Sequence, residues 1–342
     1  MHVAELIATD VALRPMGRVL VGCCPFHAEK TPSFTVYADH YHCYGCGAHG
    51  TLQNYLQRRY GGSWGPSARS LRYQGYARVP APRTSTPVNP AALSIAMHWY
   101  TEDLWSRWVP EGRQYLARRG LLPNGTQSVA RHLHLGYCTG ARLGMLLRAW
   151  ADEGITRDDA LASGLLVVNA QGKDAEALRG RVIIPEIRQQ RVVWVTGRAV
   201  GDQLPKYRNL PGPRSLLGHD QLQPDGAVIA VESGTDYLTL RMWGYPAVAT
   251  VGGTLPATDA TVFASVGRVY LVPHRDAPGW AWACRLASLL GSRAWLMALP
   301  ATVGGQPIKD VNHLATVPQG RALFQEMGRG AVPFAHTTGA VQ

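Results

Sequence analysis

The sequence predicts a multidomain α+β and α/β protein: a small zinc ribbon, then a core of helices and mixed sheet that ends in a parallel-sheet, Rossmann-like subdomain. Three observations predict it. Four of the six cysteines fall between residues 23 and 46. Residues 61–90 are rich in Gly, Pro, Ser and Arg, with almost no aliphatic periodicity, and read as a semi-extended linker. From residue 223 onward, short apolar runs alternate with stretches of helical period, the pattern of parallel strands joined by helical crossovers.

At 342 residues and 46% hydrophobic content, the chain is long enough for two or three domains, and wholesale disorder is excluded. Lys and Arg number 34 against 23 Asp and Glu, a net charge of +11. That balance favours an anionic partner, nucleic acid first; a generically basic protein is the alternative on charge alone. No apolar run reaches the roughly 18 residues of a membrane span. The N-terminus lacks a basic segment followed by an apolar one, so a cytoplasmic location is expected. There the cysteines are reduced or metal-bound rather than paired.

The ribbon is read from GCCPFHAEKTPSFTVYADHYHCYGCGAHG, residues 22–50. Cys24 and His27 form C-x2-H, and Cys43 and Cys46 form C-x2-C, with 15 residues between the pairs. Two such knuckles supply four ligands at the reach of one tetrahedral zinc, with Gly45 and Gly47 permitting the second tight turn. The intervening segment alternates as strand, turn, strand, with Ala38-Asp39-His40 as the hairpin tip. Four protein ligands make a closed site, so one structural zinc is expected. Cys23 competes with Cys24 but lacks the two-residue gap to His27. His42 and His49 are expected at the surface, and Cys138 and Cys284 in core packing.

CPFHAEKTPSF followed by YHCYGCGAHG resembles the zinc-binding domain of bacterial and phage DnaG-type DNA primases. LRPMGRVLVGC before it and LQNYLQRRYG after it resemble the lead-in strand and closing helix of that domain. The resemblance implies a ribbon face that contacts single-stranded template. Lys30, Arg18, Tyr37, Tyr41 and Tyr44 suit such contacts through charge and stacking faces, though each aromatic has ribbon core as its alternative.

After the linker, residues 91–108 show helical spacing, and YLARRGLLPNGTQSVARHLHLGYC reads as helix, turn, helix and short strand. Both this piece and GMLLRAWADEGITRDDALASGLLVV resemble the primase core. Residues 178–212 read as two or three strands around a Gln-Gln-Arg turn. A strand pair with basic residues repeatedly on one face suits a phosphate backbone or nucleotide triphosphates; a solvated charged edge is the alternative. RGRVIIP, TGR and PKYRN resemble the core's basic ridge. The resemblance implies that Arg179, Arg181, Arg198 and Lys206 line the template and nucleotide cleft. The family's further Lys is replaced here by Leu216-Leu217-Gly218.

Residues 227–253 read as strand, loop, helix and strand, and place Glu232 at a strand's carboxyl end with Asp236 in the next helix's first turn. In such sheets, sites form at those ends. LVPHRDAPG ends a third strand, and Lys309, Asp310 and Asn312 follow a fourth. Acidic and amide oxygens thus converge as Mg²⁺ with substrate phosphates requires. ESGTD, HRDAPG and IKDVN resemble the Toprim domain of DnaG-type primases, topoisomerases and some nucleases. Three departures stand out: Ser233 for Gly, His274 for the first aspartate, and Asn312 for the last.

The resemblance implies a Mg²⁺ or Mn²⁺ site at Glu232, Asp276 and Asp310, with His274, Asp236 and Asn312 as further candidates. Its domains are a ribbon at 1–60, a linker at 61–90, an N-terminal core subdomain at 91–222, Toprim at 223–330 and a loose tail at 331–342. The implied function is synthesis of short RNA primers on single-stranded DNA from ribonucleoside triphosphates, with any replicative helicase a separate partner, since no helicase-binding segment is expected before the chain ends. Imidazole is a poor partner for a hard ion, so the alternative stays open: a catalytically degenerate, primase-like, zinc-dependent DNA-binding protein.

Overall fold

The computed structural model describes residues 7, 11–16, 19–29, 31–37, 40–51, 54–55, 58, 88–122, 127–212, 216–251 and 259–334. The chain divides into two compact units, Met1–Tyr76 and Ala77–Gln342. Lys30, Arg18 and the tip residues Ala38 and Asp39 lie outside the described residues, as do linker positions 61–87.

In the first unit, β1 (Arg14–Met16), β2 (Val19–Gly22), β3 (Phe34–Val36), β4 (Tyr41–Cys43) and β5 (His49–Gly50) form one antiparallel sheet in chain order. Its inner face carries Phe34, Val36, Tyr41 and Cys43, packed with Ile7, Val11 and Tyr55. Tyr41 is 1% exposed and stacks on Phe34 at 5.1 Å, so it belongs to this core and is corrected from the template-contact candidates. Strand alternation forces this, because Tyr41 shares a face with Cys43, whose thiol points inward. A core this small needs a staple, which the cysteines provide.

The second unit opens with α1 (Pro90–Trp105), capped by Asn89, whose side chain accepts from the Ala91 and Ala92 amides at 3.0 and 3.1 Å. Linker positions 88–90 therefore belong to the helix start, with Val88 buried. Leu93, Ala96, Met97, Tyr100 and Leu104 make the buried stripe. The helix stops at Trp105 rather than at 108, since Ser106 turns extended. Next come α2 (Glu111–Arg118), α3 (Gln127–His132), β6 (Gly136–Cys138), α4 (Leu143–Asp152) and α5 (Arg157–Ala162), then a hairpin of β7 (Leu166–Val168) and β8 (Asp174–Glu176).

β9 (Arg181–Arg188) and β10 (Arg191–Ala199) turn at Gln189-Gln190, both at positive φ, and β11 (Tyr207–Asn209) completes an antiparallel sheet of order β11-β10-β9-β6. Beyond it, β12 (Ala227–Val231), α6 (Gly234–Met242), β13 (Ala247–Ala249), β14 (Arg268–Leu271), α7 (Ala277–Leu290) and β15 (Ala294–Leu296) build the expected parallel sheet. A small hairpin, β16 (Thr302–Val303) and β17 (Gln306–Pro307), separates β15 from α8 (Val311–Leu314). α9 (Gly320–Arg329) leads to β18 (Val332–Pro333), which pairs antiparallel with β15. Residues 331–334 are not the loose tail expected from 331: β18 covers a sheet edge, and Phe334 is buried against Trp280 at 5.6 Å. Residues 335–342 lie outside the described residues. No helix among the described residues is long and apolar enough to cross a membrane.

Candidate zinc centre and carboxylate site

The two knuckles bring the donor atoms of Cys24, His27, Cys43 and Cys46 within 4.8 Å of one another. Cys24 Sγ lies 3.8 Å from Cys46 Sγ, and His27 Nδ1 lies 3.8 Å from Cys43 Sγ. Donors at zinc-ligand distances around a tetrahedral ion sit about 3.6–3.8 Å apart, so the donor set and its span fit zinc. The Phe26 and Cys46 amides donate to the Cys24 and Cys43 sulfurs, each at 3.4 Å. Burial would raise the Cys43 thiol, but hydrogen bonds from the Ser33 hydroxyl and the Cys46 and Gly45 amides bring it down to about 7. Gly47 takes a φ of +72°, whereas Gly45 is required for room: a Cβ there would lie 2.8 Å from His27 Nε2.

Glu29 is the residue of this centre that the spacing did not single out. One carboxylate oxygen accepts from the Cys24 amide at 2.6 Å and the Ser33 amide at 3.1 Å. The other accepts from Ser33 Oγ at 2.5 Å and lies 3.1 Å from His27 Nε2. It thereby turns His27 so that Nδ1 faces the sulfurs. Glu29→Ala is expected to weaken zinc affinity about 10–100-fold without removing a ligand, read by competition with a chelator dye.

On the ribbon's outer face, Tyr44 is 68% exposed, and its hydroxyl lies 2.8 Å from that of Tyr37. Tyr37 stacks on His40 at 4.4 Å, and His42 packs against Tyr44 at the same distance. Cys23 is exposed, outside the donor group.

In the second unit, Glu232 follows β12, Asp276 caps α7, and Asp310 caps α8. Asp310 arrives through the β16–β17 hairpin rather than directly from β15. The tightest group among the described acids and imidazoles here is not the trio Glu232, Asp276 and Asp310, but Asp236, His274 and Asp310, with donor atoms within 4.8 Å. Asp236 is 0% exposed. Its Oδ1 accepts from the Asn312 amide at 2.8 Å; its Oδ2 accepts from Ser233 Oγ at 2.7 Å and lies 2.7 Å from His274 Nε2. Asn312, also fully buried, donates its side-chain amide to the Arg119 carbonyl at 2.9 Å and to Thr239 Oγ1 at 3.0 Å, which an aspartate would not do.

His274 Nδ1 lies 3.9 Å from Glu232 Oε2. Burial would lower the imidazole's pKa, but the hydrogen bond and charge of Asp236, with Glu232 and Asp310, lift it to about 9. Burial raises Glu232, whose Oε2 is a buried atom without a hydrogen-bond partner. Burial and the Asp236 charge likewise raise Asp310. Both acids have oxygen to offer a cation. Asp276 is engaged on both oxygens, accepting from the Gly279 amide at 2.9 Å and lying 3.2 Å from Lys309 Nζ. Arg275 does not face the acids; it donates to the Leu299 carbonyl at 2.8 Å.

The basic residues split between the two faces of the antiparallel sheet, contrary to a single ridge face. Arg198 pairs with Val182 and Tyr207 across the strands, while Arg181 pairs with Ala199, one residue out of phase. Arg198 Nε donates to Tyr115 Oη at 2.8 Å and its guanidinium lies over Tyr207 at 4.8 Å. Burial opposes its charge, but Tyr207, Tyr115 and the nearby Asp310 carboxylate favour it. Arg181 is 3% exposed and donates to the Lys206 carbonyl at 3.2 Å, holding β9 to the β10–β11 connection. Arg179 and Lys206 are exposed.

A zinc ribbon in one unit, and in the other a carboxylate–imidazole site at a parallel sheet's strand ends and a basic antiparallel sheet, define a class of zinc-finger proteins with a mixed-sheet core. The CHC2 zinc finger family matches residues 1–81, and the N-terminal domain of the DNA primase catalytic core matches residues 99–215. The chain belongs to the DnaG-type primase family, and its CHC2 finger is a structural zinc site. It is similar to the DNA primase of Escherichia coli K12, 30% identical over 283 residues that cover 75% of this chain and 47% of that protein. With the DNA primase of Deinococcus radiodurans it shares 30% identity over 329 residues, 88% of this chain and 55% of that one. The chain thus spans about half the length of these relatives. Its fold is that of the Aquifex aeolicus primase zinc-binding and RNA polymerase domains, at a TM-score of 0.59 and 22% identity over 98% of this chain and 85% of that one. A DnaG primase catalytic domain solved bound to ssDNA matches at a TM-score of 0.57 and 24% identity, over 71% of this chain and 80% of that one.

Proposed function

We propose that this chain is a primer-synthesising DNA primase that joins ribonucleotides on single-stranded DNA by metal-dependent nucleotidyl transfer. The observation that carries the reading is Glu232 Oε2 at the strand ends, buried and without a hydrogen-bond partner, with His274 Nδ1 at 3.9 Å. A buried carboxylate oxygen without a hydrogen bond is costly, and the imidazole at 3.9 Å is too distant to supply one, so this oxygen is open to a metal ion. Relatives named DNA primase, and a similar catalytic domain bound to ssDNA, support the template and reaction class.

In this reading Cys24, His27, Cys43 and Cys46 hold the structural zinc. Glu232 and Asp310 hold a divalent ion, Mg²⁺ or Mn²⁺, joined by Asp276 once the half-exposed Lys309 turns to an incoming phosphate. Such an ion neutralises phosphate charge and orients the attacking and leaving oxygens. Ser233 and Asn312 fix Asp236, and Asp236 orients His274. Arg198, beside Asp310, contacts the ribonucleoside triphosphate, while Arg179 and Lys206 follow the template backbone. Arg181 supports them from within the sheet. Tyr37 and Tyr44 stack template bases on the ribbon. The domain boundaries given above, with the core starting at Val88 and reaching Phe334, a cytoplasmic location and recruitment of a separate replicative helicase belong to the same proposal. The test is primer synthesis on single-stranded DNA, with Glu232→Gln as the inactive control.

A further inference from the structure

We infer that the divalent ion proposed at Glu232 and Asp310 is a first-row transition ion, Mn²⁺ or a close relative, that also takes the imidazole of His274 as a nitrogen ligand beside Asp236 and is selected over Mg²⁺. The inference rests on the proposed metal-dependent function and names the class of ion and its nitrogen ligand.

Beyond Glu232 and Asp310, the oxygens a hard ion would prefer are poorly available. Both Asp276 oxygens are engaged, one by the Gly279 amide and one by Lys309. The residue that follows Val311 is an asparagine whose amide is spent on Arg119 and Thr239. On the opposite side stands His274, between Asp236 at 2.7 Å and Glu232 at 3.9 Å, with Asp310 completing the donor group. Mg²⁺ demands near-ideal octahedral oxygen coordination and dehydrates reluctantly. Imidazole with carboxylates suits transition ions, whose affinities for nitrogen exceed that of Mg²⁺.

Two donors on one ion at about 2.1 Å sit about 3 Å apart, so the His274–Asp236 hydrogen bond needs only a small opening when an ion replaces the shared proton. Asp236 is held from behind by Ser233 and Asn312, which fixes one side of the site before any ion enters. Three acids, Asp236, Asp310 and Glu232, then face one divalent charge.

The test uses the full chain, zinc-loaded, without DNA or nucleotide. Mn²⁺ is titrated by electron paramagnetic resonance, and pulsed spectra report whether nitrogen is coordinated. One bound Mn²⁺ with imidazole ¹⁴N coupling is expected, resisting a roughly tenfold excess of Mg²⁺. His274→Asp should lose the nitrogen coupling and reduce the preference for Mn²⁺ over Mg²⁺ by about tenfold, and His274→Ala should weaken Mn²⁺ binding by a similar factor. The inference is overturned if wild type binds no Mn²⁺, if equimolar Mg²⁺ displaces it, or if ¹⁴N coupling persists in His274→Asp, which would point to His313. Primer synthesis is scored separately. Mn²⁺ bound as described without primers would sink the proposed function alone, and primers made with oxygen-only coordination would sink this inference alone.

Discussion

Cys43→Ser is expected to release the ribbon's zinc and unfold the first unit while the second keeps its structure. The expectation follows from the size of the ribbon's core, which centres on Phe34, Val36, Tyr41 and Tyr55. Such a core supplies only a few kcal/mol, whereas structural zinc in small fingers contributes about 10–16 kcal/mol. Cys43 is fully buried, and three interactions converge on its sulfur: the Ser33 hydroxyl at 3.3 Å, the Cys46 amide at 3.4 Å and His27 Nδ1 at 3.8 Å. A serine hydroxyl keeps the shape but offers a neutral, hard oxygen in place of a thiolate. The main apolar cluster of the second unit, built around residues such as Leu93, Tyr100, Ile183 and Leu238, includes no residue of the first. Metal analysis should fall from one zinc to none, and hydrogen exchange should lose protection in β2–β4 but not in β9–β12. Retained zinc with full protection would remove the ribbon assignment.

The second large effect is expected from Glu232→Gln: loss of primer synthesis by about 100-fold or more, with DNA binding and fold unchanged. Because Glu232 Oε2 has no hydrogen-bond partner, the amide removes its charge, and with it the 3.9 Å ion pair to His274, without breaking a hydrogen bond at that oxygen. Asp236→Asn is a different experiment. Asp236 is buried under Asn312, Ser233 and His274, so that substitution leaves at least one donor facing an NH₂ group and disturbs the fold as well. Only the first substitution separates chemistry from stability. Native-like unfolding together with full activity in Glu232→Gln would mean that the carboxylate holds no functional ion.

Much of this was legible from residues that act through short spacing. C-x2-H and C-x2-C place donors by local geometry, and the alternation of β12, α6, β13, β14 and α7 follows from hydrophobic period. The sequence marks Asp276 and Asp310 as metal ligands alone, and that each also caps a helix by accepting from a first-turn amide comes from the structure. What was not legible depends on register or on distant partners. Arg181 and Arg198 look equivalent in sequence, yet strand phase buries one over Gly197 and aims the other at Tyr115 and Asp310. Asp236 outranks Glu232 in the tightest donor group because Asn312, 76 residues later, clamps it. Glu29 could have been noticed as an acid two residues after His27. Its reach to Cys24, Ser33 and His27 at once appears only when the knuckles close.

His274 remains the residue on which the account turns. Its imidazole lies where a second acid was expected, paired with Asp236 at 2.7 Å and still adjacent to Glu232 and Asp310. The most direct measurement is primer formation on single-stranded DNA with ribonucleoside triphosphates, supplying Mn²⁺ or Mg²⁺ in parallel, for wild type, Glu232→Gln and His274→Asp. The account predicts RNA primers from wild type, more with Mn²⁺ than with Mg²⁺, and none from Glu232→Gln. Wild type that makes no primer with either ion, while His274→Asp gains activity, would contradict it and leave a protein that binds DNA without copying it.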